Sequence, residues 1–441
     1  MLIRVCLSLA LLAAMPGWSQ AAPGATGSGS VGEDNSQMHT PPPVSGEAYP
    51  TATGSESRSN YLRTGFSLDT SYDDKVLGGS SATPVSDTIY SIRTSIALDQ
   101  STPRLHQTLS YSPGFTFYQH TSALNAADQS GSVKLQYRLS PHLSLNVADS
   151  VQKTSNVFNL PYGTVPGSND SSTGGAVAAF ADEISNSATA EASYQLTRNG
   201  MIGGSGGSTI FDYLHAAQAG GLPNSKSLEG SAFYNLRLTS TQYTGLTYQY
   251  SKMVATPVTG QSDTRVSTLS LFYTLYLGHA LTLSVSGGPQ HFNTTQSPLP
   301  ASGSWTPSLT TSAGWQRSRT NLAASYGRTV TGAGGLLGAF HSTKADATVR
   351  WQLARNWTIG GGASYDLQKN VLPAILSASP GGRTVSGTAS LDRPIGAHLS
   401  ASLKYQRLHQ SYGGIPVLSN VPDSNNEVVS ISYQFTRPLG R

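Results

Sequence analysis

The 441-residue chain has a single cysteine, Cys6, and only 11% of its residues are charged. The absence of cysteine after residue 6 excludes a disulfide-stabilised fold and any metal or nucleophile site built on cysteine. No stretch after residue 20 approaches the roughly 18 consecutive apolar residues of a spanning helix, which excludes a helical membrane protein. Lys and Arg form no cluster, so the net charge of +4 predicts no nucleic-acid partner.

The N-terminus is typical of a secretory signal peptide. Arg4 supplies the positive start, Val5–Met15 the apolar segment, and Ser19-Gln20-Ala21 a small-x-small cleavage site. We expect residues 1–21 to be removed by cleavage after Ala21. Residues 22–60 are rich in Gly, Ser, Thr and Pro and show no apolar period, which predicts a disordered arm.

From residue 61 to 441, apolar and polar residues alternate in long runs. In 269–277 (LSLFYTLYL) every second residue is Leu or Tyr, and in 399–406 (LSASLKYQ) apolar residues alternate with Ser, Lys and Gln. Successive side chains of a strand point to opposite faces, so each run predicts a strand with one apolar and one polar face.

The connections between these runs alternate in length. Eight short turns, such as those at 140–142 and 355–356, alternate with nine longer connections, which predicts 18 strands, with 16 as the alternative count. Soluble sandwiches also alternate, but their strands are usually about 5–6 residues long and their topology is rarely a simple meander. The pattern therefore predicts an all-β fold, a transmembrane antiparallel up-and-down β-barrel, because only a closed sheet satisfies its backbone in lipid.

Residues 61–441 resemble the outer-membrane β-barrels of Gram-negative bacteria, and porin-like barrels of about 18 strands in particular. The ending VVSISYQFTRPLGR resembles the signal that the barrel-assembly machinery reads, with Tyr433 and Phe435 as its alternating aromatic residues. The resemblance implies that the termini and short turns are periplasmic and that the long connections lie outside the cell. It also implies surrounding outer-membrane lipid and a homotrimer as a candidate assembly.

The third long connection, residues 155–182, is the longest of the predicted outer loops. In general porins the third loop folds into the lumen and narrows it. The resemblance therefore implies a candidate constriction, for which we single out Asn159, Tyr162, Asn169, Asp170 and Asp182. The alternative is a loop that stays exposed at the surface.

The polar faces of the predicted strands carry charges that are expected to line the lumen. The basic ones are Arg63, Arg93, Lys134, Arg138, Arg237, Arg350 and Lys404, and the acidic ones are Asp69, Glu191, Asp346, Asp366 and Asp392. Opposed charges across a water-filled pore create a transverse field, and their balance tunes ion preference. Seven basic against five acidic residues predict a mild preference for anions.

A search for catalytic chemistry finds no GxSxG, no HExxH and no phosphate-binding glycine loop, so we predict no enzyme, no metal and no cofactor. His106 and His291 are expected to face inward, but neither has a visible partner. Three misfits to the alternation remain: Asp149 has lipid-facing parity, Pro113 interrupts a strand, and 201–208 (MIGGSGGS) has few apolar residues. Bulges or register shifts are the expected explanation of the first two.

The favoured function is passive diffusion of small hydrophilic solutes through a channel, because side chains cannot fill a barrel of this size. Two alternatives stay open. One is a conduit for an exported exopolysaccharide, with Tyr61, Tyr118 and Tyr276 facing the lumen. The other is a plugged structural or adhesive barrel that binds partners through its outer loops.

Overall fold

The computed structural model describes residues 60–76, 85–102, 104–156, 181–215, 223–256, 262–278, 280–296, 301–332, 339–371, 381–412 and 423–439. These residues form eighteen β-strands and a short 3₁₀ segment at Ser122–Leu124. The strands are β1 Tyr61–Asp73, β2 Asp87–Ser101, β3 Leu105–Tyr118, β4 Ala126–Arg138, β5 Leu143–Thr154, β6 Glu183–Gln195, β7 Gly200–Tyr213, β8 Asn224–Arg237, β9 Gln242–Thr256, β10 Ser262–Leu277, β11 Leu281–Gln296, β12 Ser302–Arg317, β13 Thr320–Gly332, β14 Ala339–Ala354, β15 Trp357–Asn370, β16 Gly382–Ile395, β17 Leu399–Tyr412 and β18 Asp423–Pro438. The predicted signal peptide and arm lie outside the described residues and stay predictions.

Every strand pairs antiparallel with its neighbours in the chain, and β1 also pairs with β18. This last pairing closes the sheet, so the predicted 18-stranded up-and-down barrel is confirmed. The short connections all lie at one end of the barrel, which we call the turn end, and the long ones lie at the other, the loop end. No helix in the described ranges is long and apolar enough to cross a membrane.

The register sorts the side chains of each strand into an outward and an inward set, because Cα partners on adjacent strands share a face. On β10 the outward set is Leu269, Leu271, Tyr273, Leu275 and Leu277, and Leu271 has 63% of its surface exposed. The inward residues between them are smaller, polar or buried. The barrel thus turns its large exposed hydrophobic residues outward, where a soluble protein would bury them.

The outward apolar surface is bounded by charge at both ends of the barrel. Outward charges near the loop end are Lys153, Asp212, Lys226, Lys252, Asp263, Arg265, Arg328, Lys369, Arg383, Arg407, Asp423 and Glu427. Those at the turn end are Arg317, Arg393 and Arg437. We call the largely apolar surface between these two sets the apolar band. The loop ends of the strands project beyond it.

The two expected register shifts do not occur. Around Pro113 the pairing of β2 with β3 keeps the same register on both sides, and the Ser112 hydroxyl donates to the Thr94 carbonyl (2.8 Å). Asp149 keeps its outward position in an unbroken register, and its carboxylate accepts a hydrogen bond from the Asn186 amide (2.8 Å), which also faces outward. The expectation of shifts was therefore wrong: a neighbouring polar group compensates each misfit instead.

Candidate functional site

The inward surface of the barrel is the candidate site, and the structure places all twelve predicted charges on it. On each strand these charged residues alternate with the outward hydrophobic residues, and their Cα partners on the adjacent strands also face inward. Several lie close to a partner: Arg93 Nε is 3.7 Å from the Asp69 carboxylate, and Lys404 lies among the charges of β16, β1 and β2. The role of these side chains in conduction stays a prediction.

Seven further charged residues on the described strands also face inward. They are Asp73, Asp87, Asp99, Asp128, Glu183, Glu229 and Lys344. Asp73 and Asp99 lie near the ends of β1 and β2, where the strands extend beyond the alternating runs of the sequence. With these residues included, acids outnumber bases on the inward strand surface. The count that predicted a mild anion preference was therefore incomplete.

Ion pairs join several of the inward charges. Arg63 lies 3.8 Å from Asp99 on the neighbouring strand, and Lys344 lies 3.9 Å from Asp346 two residues along the same strand. Both distances are at the outer limit for an ion pair, and the Arg63 side chain is well exposed to the lumen. Pairs of this kind contribute little stability, so their main effect is on the local potential.

Toward the loop end the inward surface is a network of short polar side chains. Ser91, Thr116 and Asp128 form a chain across three strands, with oxygen–oxygen distances of 3.2 and 3.0 Å. Thr264 and Thr294 are 2.9 Å apart in the same arrangement between β10 and β11. Such cross-strand contacts satisfy polar groups without filling the lumen, since Ser and Thr side chains are small.

A cavity of about 660 Å³ occupies the interior, lined by inward residues of strands β3 to β15. Most lining residues are Ser, Thr, Gln, Asn or Gly, and Lys134, Glu191, Glu229, Lys344, Asp346 and Asp366 contribute charge. A cavity lined in this way favours water and hydrophilic solutes, because each of these side chains retains donors and acceptors for them.

Inward aromatic rings near the turn end lie against glycines of the adjacent strand. The ring of Phe233 on β8 covers Gly203, where an added Cβ would also come within 2.7 Å of the Ala192 carbonyl oxygen. Phe272 on β10 covers Gly245 of β9 in the same manner. Glycine therefore allows each ring to lie flat against the wall, and this packing accounts for Gly203 within the segment 201–208.

One interface of the barrel is only partly paired. β12 and β13 form a ladder from Leu309–Arg328 down to the turn end, but Ser302–Ser308 of β12 have no partner on β13. Above this point β13 bends into the lumen, and Val330, 3% exposed, packs on Val266 and Phe292 of the inner wall.

The side chain of Gln290 on β11 holds the bent end of β13. It accepts a hydrogen bond from the Val330 N–H (2.7 Å) and donates to the Val330 carbonyl (3.2 Å). These backbone groups face away from β14, so the carboxamide takes the place of the missing β12 backbone. The bend narrows the loop end of the lumen, a feature that no sequence pattern indicated.

The predicted constriction loop lies largely outside the described residues. Four of its five singled-out residues are in the part that is not described: Asn159, Tyr162, Asn169 and Asp170. Asp182 is described: its carboxylate lies 3.3 Å from His215 Nδ1 at the loop end of β6 and β7. Whether the loop narrows the lumen stays a prediction.

The other singled-out residues divide between the two surfaces. Tyr61, Tyr118 and Tyr276 face inward, and Tyr118 accepts a hydrogen bond from Asn156 (3.2 Å). His106 faces inward at 4.0 Å from Asp99, whereas His291 faces outward against the Trp305 ring, so its expected inward position was wrong. The glycines and proline at 287–289 do not shift the register of β11. Tyr433 and Phe435 are outward and exposed on β18.

The described residues contain no group of three or more His, Cys, Asp or Glu side chains placed to hold a metal ion. No family model matches the sequence. No curated protein matches it either.

Several solved structures share the barrel architecture at low similarity. Pseudomonas aeruginosa OccK2 (OpdF), in complex with glucuronate, has 9% identity and a TM-score of 0.44 over 86% of this chain and 98% of that chain. Pseudomonas aeruginosa OpdO has 11% identity and a TM-score of 0.42 over 86% and 97%. The FrpB iron transporter from Neisseria meningitidis has 9% identity and a TM-score of 0.40 over 84% and 81%. The fold assignment rests on the strand pairing of this chain itself.

Proposed function

We propose that this chain is an outer-membrane channel through which small hydrophilic solutes diffuse passively. The observation that carries the proposal is the division of each strand between an outward hydrophobic surface and an inward polar one around a cavity of about 660 Å³. The first surface matches acyl chains and the second matches water. The turn end would face the periplasm and the loop end the exterior, as in barrels with short periplasmic turns.

The polar lining also supports diffusion over catalysis. The inward charges are distributed around the barrel, whereas catalysis requires a few groups that converge on one reacting atom. Ser, Thr and Gln along the wall can exchange hydrogen bonds with a passing solute one after another, because none of them holds the solute with a strong charge-assisted bond.

Single-channel recording in planar bilayers tests the proposal. Residues 22–441, refolded in detergent and added to the bilayer, should give steady conductance steps. Ser270 and Leu271 provide a matched pair, since Ser270 lines the cavity and Leu271 faces outward. Ser270→Trp should lower the unit conductance, and Leu271→Trp should leave it unchanged. A protein that folds and inserts but never conducts would overturn the proposal.

The last strand supports a second, narrower proposal about assembly. Tyr433 and Phe435 project outward, where machinery that receives the strand from the periplasm can contact them. In cells, the double variant Tyr433→Ser/Phe435→Ser should reduce the amount of heat-resistant folded barrel in the outer membrane. The control is Ser432→Ala/Gln434→Ala on the inward face of the same strand. Equal yields for both variants would contradict this role.

A further inference from the structure

The inward charges are unevenly distributed along the barrel axis. Dividing each strand at its midpoint separates a loop-end half of the wall from a turn-end half. The inward acids of the loop-end half are Asp69, Asp73, Asp87, Asp128, Glu183, Glu229, Asp346 and Asp366, and its inward bases are Arg93 and Lys344. The loop-end half of the described strands therefore carries a large excess of acids.

The turn-end half has the opposite composition. Its inward bases are Arg63, Lys134, Arg138, Arg237, Arg350 and Lys404, and its inward acids are Asp99, Glu191 and Asp392. The predicted transverse field assumed that opposite charges face each other across the pore. The larger separation is along the axis instead.

Ion pairing leaves the net negative charge of the loop-end half unchanged, because each pair offsets one acid and one base. Its two bases both lie beside a carboxylate, Arg93 at 3.7 Å from Asp69 and Lys344 at 3.9 Å from Asp346. Lys344 is also the cross-strand register partner of Asp366, so the positive charge in this half is offset locally, and the remaining acids still outnumber the two bases. Burial raises the pKa of Asp73 to about 7, but even without Asp73 the acids outnumber the bases in the loop-end half. The net potential of the loop-end half is therefore negative, and that of the turn-end half is positive.

We infer that the lumen is a two-zone pore that selects cations at its loop end and anions at its turn end, and that it conducts asymmetrically. The inference rests on the proposed channel function and names the solutes that the outer mouth concentrates: small cations and solutes bearing a cationic group. Fixed charge enriches counter-ions within about one Debye length, which is about 10 Å at 0.1 M salt and so comparable with a pore radius.

The direction of the asymmetry follows from the order of the zones. A positive potential on the loop-end side drives cations in through the acidic zone and anions in through the basic zone, so both ions accumulate in the lumen. The reverse potential draws each ion from the zone that excludes it, and the lumen is depleted. Conductance should therefore be larger when the loop-end side is positive.

Current–voltage curves of single channels test this inference. In about 0.1 M KCl the ratio of currents at opposite voltages should be about two, and in about 1 M KCl it should approach one, since the Debye length falls to about 3 Å. The orientation of each channel is read from Ser304→Cys, an exposed inward position in the loop-end half of β12, by one-sided addition of a bulky thiol reagent that alters the current. The mature chain has no other cysteine.

Charge removal in the loop-end half should abolish much of the asymmetry. Glu229→Gln/Asp366→Asn neutralises two acids that line the cavity and should move the low-salt ratio toward one. The control Glu427→Gln neutralises an exposed acid on the outward face of β18 and should leave the ratio unchanged. Equal currents at both polarities in low salt, or a larger current with the loop end negative, would overturn the inference while the channel function stands. Absence of any conductance would overturn both.

Discussion

The two halves of the barrel differ in how strictly they follow one pattern. In the turn-end half all strands are paired with both neighbours, and the outward face carries charge only at the strand ends, at Arg317, Arg393 and Arg437. In the loop-end half β12 and β13 separate above Leu309 and Arg328, the strands project beyond the apolar band, and polar side chains form a cross-strand network. The turn-end half is constrained by lipid, which tolerates neither unpaired backbone nor outward charge.

The loop-end half is free of that constraint and can carry the features that control passage. Water there can hydrate charged side chains and the unpaired backbone groups of a free strand edge. Inward positions can therefore be acidic, and β13 can bend into the lumen. The same sheet therefore holds the barrel in lipid through its turn-end half. We propose that its loop-end half selects the solutes. The variants below compare positions between the two halves or within one of them.

The largest expected effect is that of a charge placed in the apolar band. Leu271→Arg should reduce the free energy of unfolding by about 2–4 kcal/mol, the cost of a basic side chain near the bilayer midplane. Val254→Arg, at an outward position of β9 beyond Lys252, should cost only about 0–1 kcal/mol. Urea titration of barrels folded into lipid vesicles measures both. Equal losses would show that the band does not end where the outward charges begin.

The second effect concerns the bend in β13. Gln290→Leu leaves the buried N–H and carbonyl of Val330 without their partners and should cost about 2 kcal/mol. Gln136→Leu is the control, since Gln136 faces the lumen on β4 in a regularly paired part of the sheet. Hydrogen exchange should also show faster exchange in 329–332 only in the first variant. If both variants lose the same stability and exchange alike, Gln290 does not hold the bend.

The third effect concerns the rings packed on glycine. Gly245→Ala should cost about 1–2 kcal/mol, because its Cβ would meet the Phe272 ring and the Tyr234 carbonyl. Gly314→Ala, where no atom lies within 4 Å of the added Cβ, should change stability by less than about 0.5 kcal/mol. Unit conductance should fall only in Gly245→Ala, since the ring can move only toward the lumen. A neutral Gly245→Ala would contradict the packing.

The smallest effect is expected for Asp149 and Asn186, the hydrogen-bonded polar pair within the apolar band. Replacing the lipid-facing pair, Asp149→Val/Asn186→Val, should raise the free energy of unfolding by about 1 kcal/mol, because two polar groups leave the lipid-facing surface. Asp149→Val alone should gain less, since it removes the acceptor of the Asn186 amide. A loss of stability in the double variant would indicate that water or protein covers this pair.

The strand number and the two faces could be predicted from the sequence because both depend on local alternation. Lys134 and Arg138, for example, alternate with apolar residues along β4. Because the apolar residues face outward, these two charged residues face inward. The outward position of His291 also follows from this alternation, since it shares the parity of Leu283 and Val285 on β11, and its expected inward position did not take that parity into account.

The loop-end features could not be predicted in the same way. Asp73 and Asp87 lie where the strands have left the apolar band, so the outward residues no longer need to be apolar and the alternation fades. The contact of Gln290 with Val330 joins strands that are not neighbours in the chain, and it depends on a bend that leaves no local pattern. Sequence alternation therefore predicts the turn-end half of the barrel better than the loop-end half.

The most direct test of the account is a cysteine scan of residues 399–405 on β17, one position at a time in a chain of residues 22–441, which has no cysteine of its own. Spin labels in barrels reconstituted into lipid report collision rates with oxygen, which partitions into acyl chains, and with a water-soluble nickel chelate. Oxygen maxima should fall at Leu399, Ala401, Leu403 and Tyr405, and nickel maxima at Ser400, Ser402 and Lys404. Rates without a two-residue alternation, or with the opposite phase, would contradict a barrel that places lipid outside and water within.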